Sequence, residues 1–282
     1  MKILVTGGAG FIGTNLIKRL VSEGHEVTSV DNYSTGLKTN HIVGVKYINQ
    51  DISFRYIDWS VYDNFEVVYH LAAIARIQPS FEKPMDYFKT NANGTMYLAE
   101  FCVRKNIPLI YAGSSSHHSG KFKNPYTFSK DIGEEVIQLY QEHFNLKSSI
   151  ARFYNVYGPH HLKSGGYCTL IGAWESSIER GELLTIHGDG TKRRDFTHVE
   201  DIVDGLIKIH EKDAWGYEFE LGRGFNHSVL DIANMFGKQH IFADDRPGEA
   251  QITLCESKLA KEVLGWEPQM NIEDYIKDYL NK

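Results

Sequence analysis

Tyr126 and Lys130 stand four residues apart in Asn124-Pro125-Tyr126-Thr127-Phe128-Ser129-Lys130, and this pair carries the most readable chemistry in the chain. Pro125 suits the first turn of a helix, and Ile132, Val136, Leu139 and Tyr140 continue it at helical spacing toward Phe144. Side chains four apart then share one face. A free tyrosine has a pKa of about 10, so its use as a base near neutrality asks for a shift of roughly 3 units, or about 4 kcal/mol. A neighbouring ammonium supplies much of that by stabilising the phenolate, while the same amine can hold a cofactor ribose. Taken alone, Tyr-x-x-x-Lys is a common chance match, a core tyrosine beside a solvated lysine. What precedes it decides its meaning.

The chain opens with a short apolar strand, Lys2-Ile3-Leu4-Val5-Thr6, followed by Gly7-Gly8-Ala9-Gly10-Phe11-Ile12-Gly13 and a helix through Leu20. Gly8, Gly10 and Gly13 satisfy G-x-G-x-x-G in the required strand-loop-helix context. Such glycines allow a tight turn, approach of the backbone to a pyrophosphate and close packing of helix on strand, and the helix N-terminus faces the anion. A second strand, Glu26-Val27-Thr28-Ser29-Val30-Asp31, ends in an acid suited to the adenosine ribose hydroxyls, where a 2′-phosphate would be repelled. The loop, strand and acid together predict a bound dinucleotide, NAD rather than NADP.

With Tyr126 and Lys130, these residues resemble the extended short-chain dehydrogenase/reductase family, in its nucleotide-sugar epimerase and dehydratase branch. The resemblance runs along nearly the whole chain, through Asp31-Asn32-Tyr33-Ser34-Thr35-Gly36, Asp51-Ile52, His70-Leu71-Ala72-Ala73, Asn91-Ala92-Asn93-Gly94-Thr95 and Arg152-Phe153-Tyr154-Asn155-Val156-Tyr157-Gly158-Pro159. It continues in Gly188-Asp189-Gly190, Arg194-Asp195-Phe196, Arg246-Pro247-Gly248-Glu249 and Leu264-Gly265-Trp266. It implies that Gly7, Gly10, Phe11, Ile12, Gly13, Asp31, Asn32, Asp51, Ile52, Leu71, Ala72, Ala73, Asn91, Tyr126 and Lys130 hold NAD. It assigns Arg194 and Arg246 to the diphosphate of a nucleotide sugar, Asn155 to the sugar phosphate and Glu249 to the ribose. Arginine suits forked contacts with phosphate oxygens. Arg76, after the His70 to Ala73 turn, approaches the sugar or the diphosphate.

A third catalytic group is sought in Gly113-Ser114-Ser115-Ser116-His117-His118-Ser119-Gly120. In the family a serine or threonine lies five residues before a glycine, and counting back from Gly120 selects Ser115, with Ser114 and Ser116 as alternatives. Its hydroxyl can donate to the sugar oxygen and relay to Tyr126. The usual Val-Tyr before that glycine is His118-Ser119 here. Dehydratases of the family follow the hydroxyl with Asp-Glu, and decarboxylating relatives keep a glutamate two residues after it; this chain has Ser116 and His117. The remaining set, Ser115, Tyr126, Lys130 and NAD, suffices for reversible oxidation at carbon 4 and hence for epimerisation. His117-His118 and His160-His161 are read as solvated loop histidines, since adjacent residues rarely point at one ion, and no metal is expected. In family 4-epimerases the residue seven positions after the Arg-Pro-Gly arginine lines the pocket near carbon 2. That residue is Thr253, small enough to admit N-acetylated or uronic sugars.

The 282 residues carry 42% hydrophobic side chains, enough for a full core, and suit one large α/β domain with a smaller lobe. A net charge of −6 without a long basic run argues against nucleic acid as a partner. Cys102, Cys168 and Cys255 are odd in number and widely spaced, so neither a disulfide framework nor a Cys-x-x-Cys metal site is expected. With no leader pattern and no spanning apolar run, a soluble protein of the reducing cytoplasm, away from membranes, is expected.

Apolar segments at residues 2–6, 26–30, 45–48, 66–72 and 108–112, then 149–155, alternate with helical stretches, the rhythm of a doubly wound parallel sheet of Rossmann type. Residues 1–155, rejoined by 191–221 with a helix at 199–211, form the expected NAD-binding domain. Residues 156–190 and 222–282 form a smaller, discontinuous substrate lobe. The resulting reading is an NAD-dependent 4-epimerase of a nucleotide sugar, UDP above other bases, assembled by resemblance as a homodimer through helices near 91–105 and 126–144. Its alternatives are a 4-ketoreductase or dehydratase of the same branch and a non-catalytic NAD-binding protein.

Overall fold

The computed structural model describes residues 1–54 and 64–282. Its first half alternates strand and helix: β1 (Lys2–Thr6), α1 (Phe11–Ser22), β2 (Glu26–Asp31), β3 (Lys46–Asn49), β4 (Val67–His70), α2 (Gln78–Glu82), α3 (Pro84–Tyr87), α4 (Thr95–Lys105), β5 (Leu109–Ser114), α5 (Pro125–Phe144) and β6 (Ser148–Phe153). A π-helical turn over Phe88–Gly94 joins α3 to α4. The second half runs β7 (Val156–Tyr157), α6 (Leu170–Glu179), β8 (Leu184–His187), β9 (Arg193–Asp195), β10 (Thr197–His198), α7 (Val199–Glu211) and β11 (Glu218–Leu221). It ends with β12 (Asn226–Ser228), α8 (Val229–Phe236), β13 (His240–Ala243), α9 (Leu259–Leu264) and α10 (Ile272–Leu280).

Seven strands form one parallel sheet in the order β11-β6-β5-β4-β1-β2-β3. This is the Rossmann arrangement, and its order reverses between β1 and β4, where ligands of such sheets bind beyond the strand ends. Continuous apolar runs suit strands covered on both faces, and Ile3, Leu4 and Val5 of β1 are fully buried. One face packs Leu16, Ile17 and Leu20 of α1 against Ile202, Val203 and Leu206 of α7. The other packs Leu98 and Phe101 of α4 and Ile137 of α5 against Val68, Leu109 and Ile150.

A third core gathers Tyr157, Ile171, Trp174, Leu184, Phe196, Ile232, Phe236 and Ile276 into the smaller lobe. Residues 193–195 lie outside the large sheet, since β9 pairs antiparallel with β12 in a separate two-stranded ladder. Ala260, Leu264 and Trp266 also join the large core rather than the lobe. Among the described residues no helix is long and apolar enough to cross a membrane.

Candidate active site

The loop after β1 owes its shape to glycine. Gly7 has φ +75°, and a Cβ there would lie 2.8 Å from the Ala72 nitrogen. A Cβ on Gly13 would come within 2.7 Å of the Gly8 Cα. Backbone this close forms a cradle that any side chain would fill. Gly10 caps α1 without a side-chain hydrogen bond, so the first-turn amides remain available to an anion. At the end of β2, Asp31 accepts from the amides of Ala9 (2.9 Å) and Tyr33 (2.8 Å). Its carboxylate is fixed at the rim while keeping acceptor capacity for ribose hydroxyls. Burial raises its pKa, and those two amides oppose the rise.

Gly7, Gly10, Phe11, Ile12, Gly13, Asp31, Asn32, Ile52, Leu71, Ala72, Ala73, Tyr126 and Lys130 line one cavity of about 1170 Å³ with Arg76, Ser115, Asn155, Arg194, Arg246, Glu249 and Thr253. A volume beyond the roughly 300–1,000 Å³ of a single small-ligand pocket suits a dinucleotide and a second nucleotide together. Two expected cofactor residues lie off the lining. Asn91 sits in the π-helical turn, where its amide clamps Ile74 by donating to the carbonyl (3.0 Å) and accepting from the nitrogen (2.8 Å). Asp51 accepts from Asn32 Nδ2 (2.9 Å) and the Ser53 amide (2.8 Å). Both shape the pocket wall from behind.

At the centre of the cleft the Tyr126 hydroxyl donates to Ser114 Oγ at 3.2 Å, and Ser114 Oγ meets Ser116 Oγ at 2.9 Å. Ser114, not Ser115, therefore touches the phenol: it ends β5, while Ser115 has entered the following 3-10 turn, although it still faces the cavity. Lys130 also departs from expectation. Its Nζ donates to the Tyr111 hydroxyl (2.7 Å) and the Ala112 carbonyl (2.6 Å). Burial lowers its pKa to about 8, with Glu134 and Asp131 opposing the fall. Burial raises that of Tyr126, and what offsets it is the bond to Ser114 and then the charge of Arg76. Turned toward Tyr111 and Ala112, Lys130 makes no hydrogen bond to the Tyr126 phenol in this arrangement.

Beneath these residues lies a buried charge network. Arg152 donates to Glu134 Oε2 through Nε (2.9 Å) and Nη2 (2.7 Å), and its other contacts reach Glu220 (3.0 Å) and Glu218 (2.7 Å). Glu134 Oε1 accepts the Ser114 amide at 3.3 Å. His117 Nδ1 lies 3.0 Å from Asp131 and His118 Nε2 lies 2.9 Å from Glu220. Bonding to Glu220 raises the His118 pKa. The two rings are exposed at the surface but tied to buried acids. His117, Asp131 and Glu134 bring three ligand atoms within 4.8 Å of one another. The Arg152 guanidinium already occupies Glu134 there, and its charge opposes a second cation.

The other histidine pair requires a correction. His161 is buried, not solvated: its Nε2 lies 2.9 Å from Glu175 and its ring packs edge-on to Phe11, because α6 brings Glu175 under the loop.

Across the cleft, Arg194 Nη2 faces Glu249 at 3.3 Å, and Asn155 Nδ2 donates to Thr253 Oγ1 (2.9 Å) and the Asp195 carbonyl (3.1 Å). Glu249 thus stands as a counter-ion to Arg194. Arg246 is exposed. Lys192, buried and lining the cavity, pairs with Asp245 and lies 3.5 Å from Glu249. Sequence reasoning passed over it, although the run Lys192-Arg193-Arg194 beside a matched arginine was the available signal. Asn124 caps α5 by accepting the Thr127 amide (2.8 Å), and its Nδ2 donates to the Gly248 carbonyl (3.1 Å).

A parallel sheet with a glycine cradle, an acid at the ribose position and a Tyr-Lys helix defines a dinucleotide-binding redox enzyme. The NAD dependent epimerase/dehydratase family matches residues 3–222, and the chain belongs to it. A Methanocaldococcus jannaschii protein provisionally named a UDP-glucose 4-epimerase is 30% identical over 301 residues, covering 99% of this chain and 97% of its own. UDP-glucuronic acid decarboxylase 1 of Xenopus tropicalis is 27% identical over 97% of this chain and 70% of its own length. The crystal structure of Thermotoga maritima UDP-glucose 4-epimerase with UDP-glucose has a TM-score of 0.93 at 28% identity, covering 100% of this chain and 99% of that one.

Proposed function

We propose that the chain is an NAD-dependent 4-epimerase of a UDP-linked sugar. The observation that carries this reading is the Tyr126 phenol in the cleft, 3.2 Å from Ser114 Oγ, with Lys130 one turn further along α5. Held by the Gly7–Gly13 cradle, Asp31 and Lys130, NAD would supply a reversible hydride acceptor for carbon 4 of the sugar, with the hydride returned to either face. Tyr126 takes the proton of the 4-hydroxyl and gives it back. Ser114 holds the phenol and, with Ser115 beside it, offers hydroxyls to the developing alkoxide. Lys130, charged at neutral pH, lies behind Tyr126 and in reach of a ribose. The diphosphate is assigned to Arg194, Arg246 and Lys192, and the sugar turns over between Tyr126 and the Asn155–Thr253 pair.

Family relatives include decarboxylases, which need a further acid or base beside the hydroxyl. His117, at the corresponding position, is committed to Asp131, and this favours the epimerase over that alternative. Assembly as a homodimer through α4 and α5 belongs to the same reading, supported by exposed Met96, Leu139 and Phe144 on those helices.

Denaturing the purified protein and identifying the released dinucleotide, then following a panel of UDP-, GDP-, CDP- and dTDP-sugars, tests it. Retained NAD and interconversion of 4-epimers without added reductant is the expected result. Stoichiometric NADPH consumption, release of carbon dioxide, or binding without turnover would each refute it.

A further inference from the structure

Arg76 is unlike the other arginines around the cleft. Arg152 and Arg194 each face a glutamate. Arg76, among the described residues, faces no carboxylate. Its Nε donates to the carbonyls of Tyr167 and Cys168, each at 3.1 Å, and these bonds fix the guanidinium plane against a loop of the smaller lobe. The terminal nitrogens carry no hydrogen bond to any described residue, and the side chain lines the cavity.

Its backbone is strained as well. Arg76 has φ +99°, a conformation that a side-chain-bearing residue rarely adopts. Surrounding bonds hold it there: the Tyr87 hydroxyl donates to the Arg76 carbonyl at 2.9 Å, and Asn91 grips Ile74 two residues earlier. Strain of this kind persists where the fold over-determines it, and such positions cluster at ligand clamps. An unpaired guanidinium taken partly out of water is a standing cost that an anionic ligand removes. It stands beside the reacting centre: the Tyr87 ring whose hydroxyl holds the Arg76 carbonyl packs edge-on to Tyr126, with centroids 6.2 Å apart.

Three anions are candidates. Dinucleotide phosphates belong at the Gly7–Gly13 cradle, and the substrate diphosphate belongs among Lys192, Arg194 and Arg246 on the far wall. The sugar itself remains. On a hexose ring, carbons 4 and 5 are neighbours, so a carboxylate at carbon 6 lies beside the 4-hydroxyl that faces Tyr126.

We propose that Arg76 is a carboxylate clamp and that the sugar this enzyme selects is a nucleotide-linked hexuronic acid, its carbon-6 carboxylate bound bidentately by the free edge of the guanidinium. A planar fork matched to a planar carboxylate fixes orientation as well as charge. The proposal rests on the 4-epimerase reading and adds to it the class of sugar. It also gives the lobe loop a task, since Tyr167 and Cys168 set the plane of the fork.

The test compares kcat/KM for UDP-glucuronate and UDP-glucose in the wild-type holoenzyme, Arg76→Gln and Arg76→Gly. Glycine accepts the positive φ, so the second variant removes the guanidinium while relieving the backbone, and a shared result excludes misfolding as the cause. Wild type should favour the uronate, and both variants should lower the uronate-to-glucose ratio by about 10- to 100-fold, the range of one charged hydrogen-bonded contact. Calorimetry with UDP alone should give the same affinity in all three proteins. A wild-type preference for glucose, an unchanged ratio in the variants, or a loss of UDP affinity that moves Arg76 to the diphosphate would each overturn the clamp. Failure of both sugars to turn over would refute the 4-epimerase reading instead. In that case a calorimetric preference for UDP-glucuronate over UDP-glucose, present in wild type and lost in both variants, still upholds the clamp, and its absence overturns it.

Discussion

Replacing Glu134 by glutamine should damage the enzyme twice, once in stability and once in its pH profile. The side chains of Glu134 and Arg152 are only 3% and 6% exposed and share two hydrogen bonds, of 2.7 and 2.9 Å. Breaking a buried pair costs about 3–5 kcal/mol when the survivor is left uncompensated. Arg152 would keep Glu220 and Glu218, which puts Glu134→Gln at the lower end, about 3 kcal/mol. For a chain of this size that is a fall in Tm of about 6–12 °C. The second effect runs through Lys130, whose folded pKa of about 8 lies below its ordinary 10.5. Burial of this base costs stability in full below about 8, and the cost fades as pH rises toward 10.5. Glu134 favours the ammonium, so its neutralisation lowers the Lys130 pKa further and moves the basic limb of kcat/KM to lower pH. Thermal unfolding and a pH-rate series on the holoenzyme read both. An unchanged Tm with an unmoved basic limb would show that neither the pairing nor the charge coupling operates as described.

Tyr126→Phe should lower kcat by about 10²–10⁴-fold, the range of a lost general acid-base, while retaining NAD and UDP binding; near-native turnover would remove Tyr126 from the mechanism. Because Asp31 is fixed at the ribose position, protein stripped of cofactor should bind NAD well ahead of NADP, and equal affinities by calorimetry would contradict that geometry. Arg194→Ala and Arg246→Ala should each weaken UDP-sugar binding by about 1.5–3 kcal/mol without releasing NAD, and unchanged KM in both variants would take the diphosphate elsewhere. Thr253→Tyr should depress turnover of a UDP-N-acetylhexosamine much more than that of its unacetylated counterpart; equal loss, or none, places residue 253 outside the sugar pocket.

Residues that act through their immediate chain neighbours were legible in the sequence. The Gly7–Gly13 loop, Asp31 and the Tyr126–Lys130 helix are short-range patterns, and periodicity alone located β1 to β6 and α7. What escaped depended on distant partners. β11 is absent from the apolar segments read in the sequence because Glu218 and Glu220 interrupt it, and the arginine that neutralises them lies more than 60 residues away on β6. Ser114 rather than Ser115 touches Tyr126 because β5 ends at Ser114 and the chain turns into a 3-10 helix at Ser115, an ending that distance from Gly120 does not reveal. His161 reads as solvated in the sequence because nothing local announces Glu175, which meets it in the fold. The pairing of Lys192 with Asp245 likewise spans 53 residues. Motif position brought Asn91 near the cofactor wall, but its contact is with Ile74 rather than with the cavity.

Asn124 ties together two walls of the cleft that lie far apart in the sequence. One planar amide caps the helix bearing Tyr126 and, through its other end, holds Gly248 of the loop that carries Arg246 and Glu249. Any displacement of that loop would pull on the same rigid plane that covers the first turn of α5. A displacement that broke the cap along with the tether would cost about 1 kcal/mol more, a factor of about five in population. The far wall of the cleft is thus geared to the footing of α5: the residue that seats the helix of Tyr126 also fixes the loop of Arg246 and Glu249.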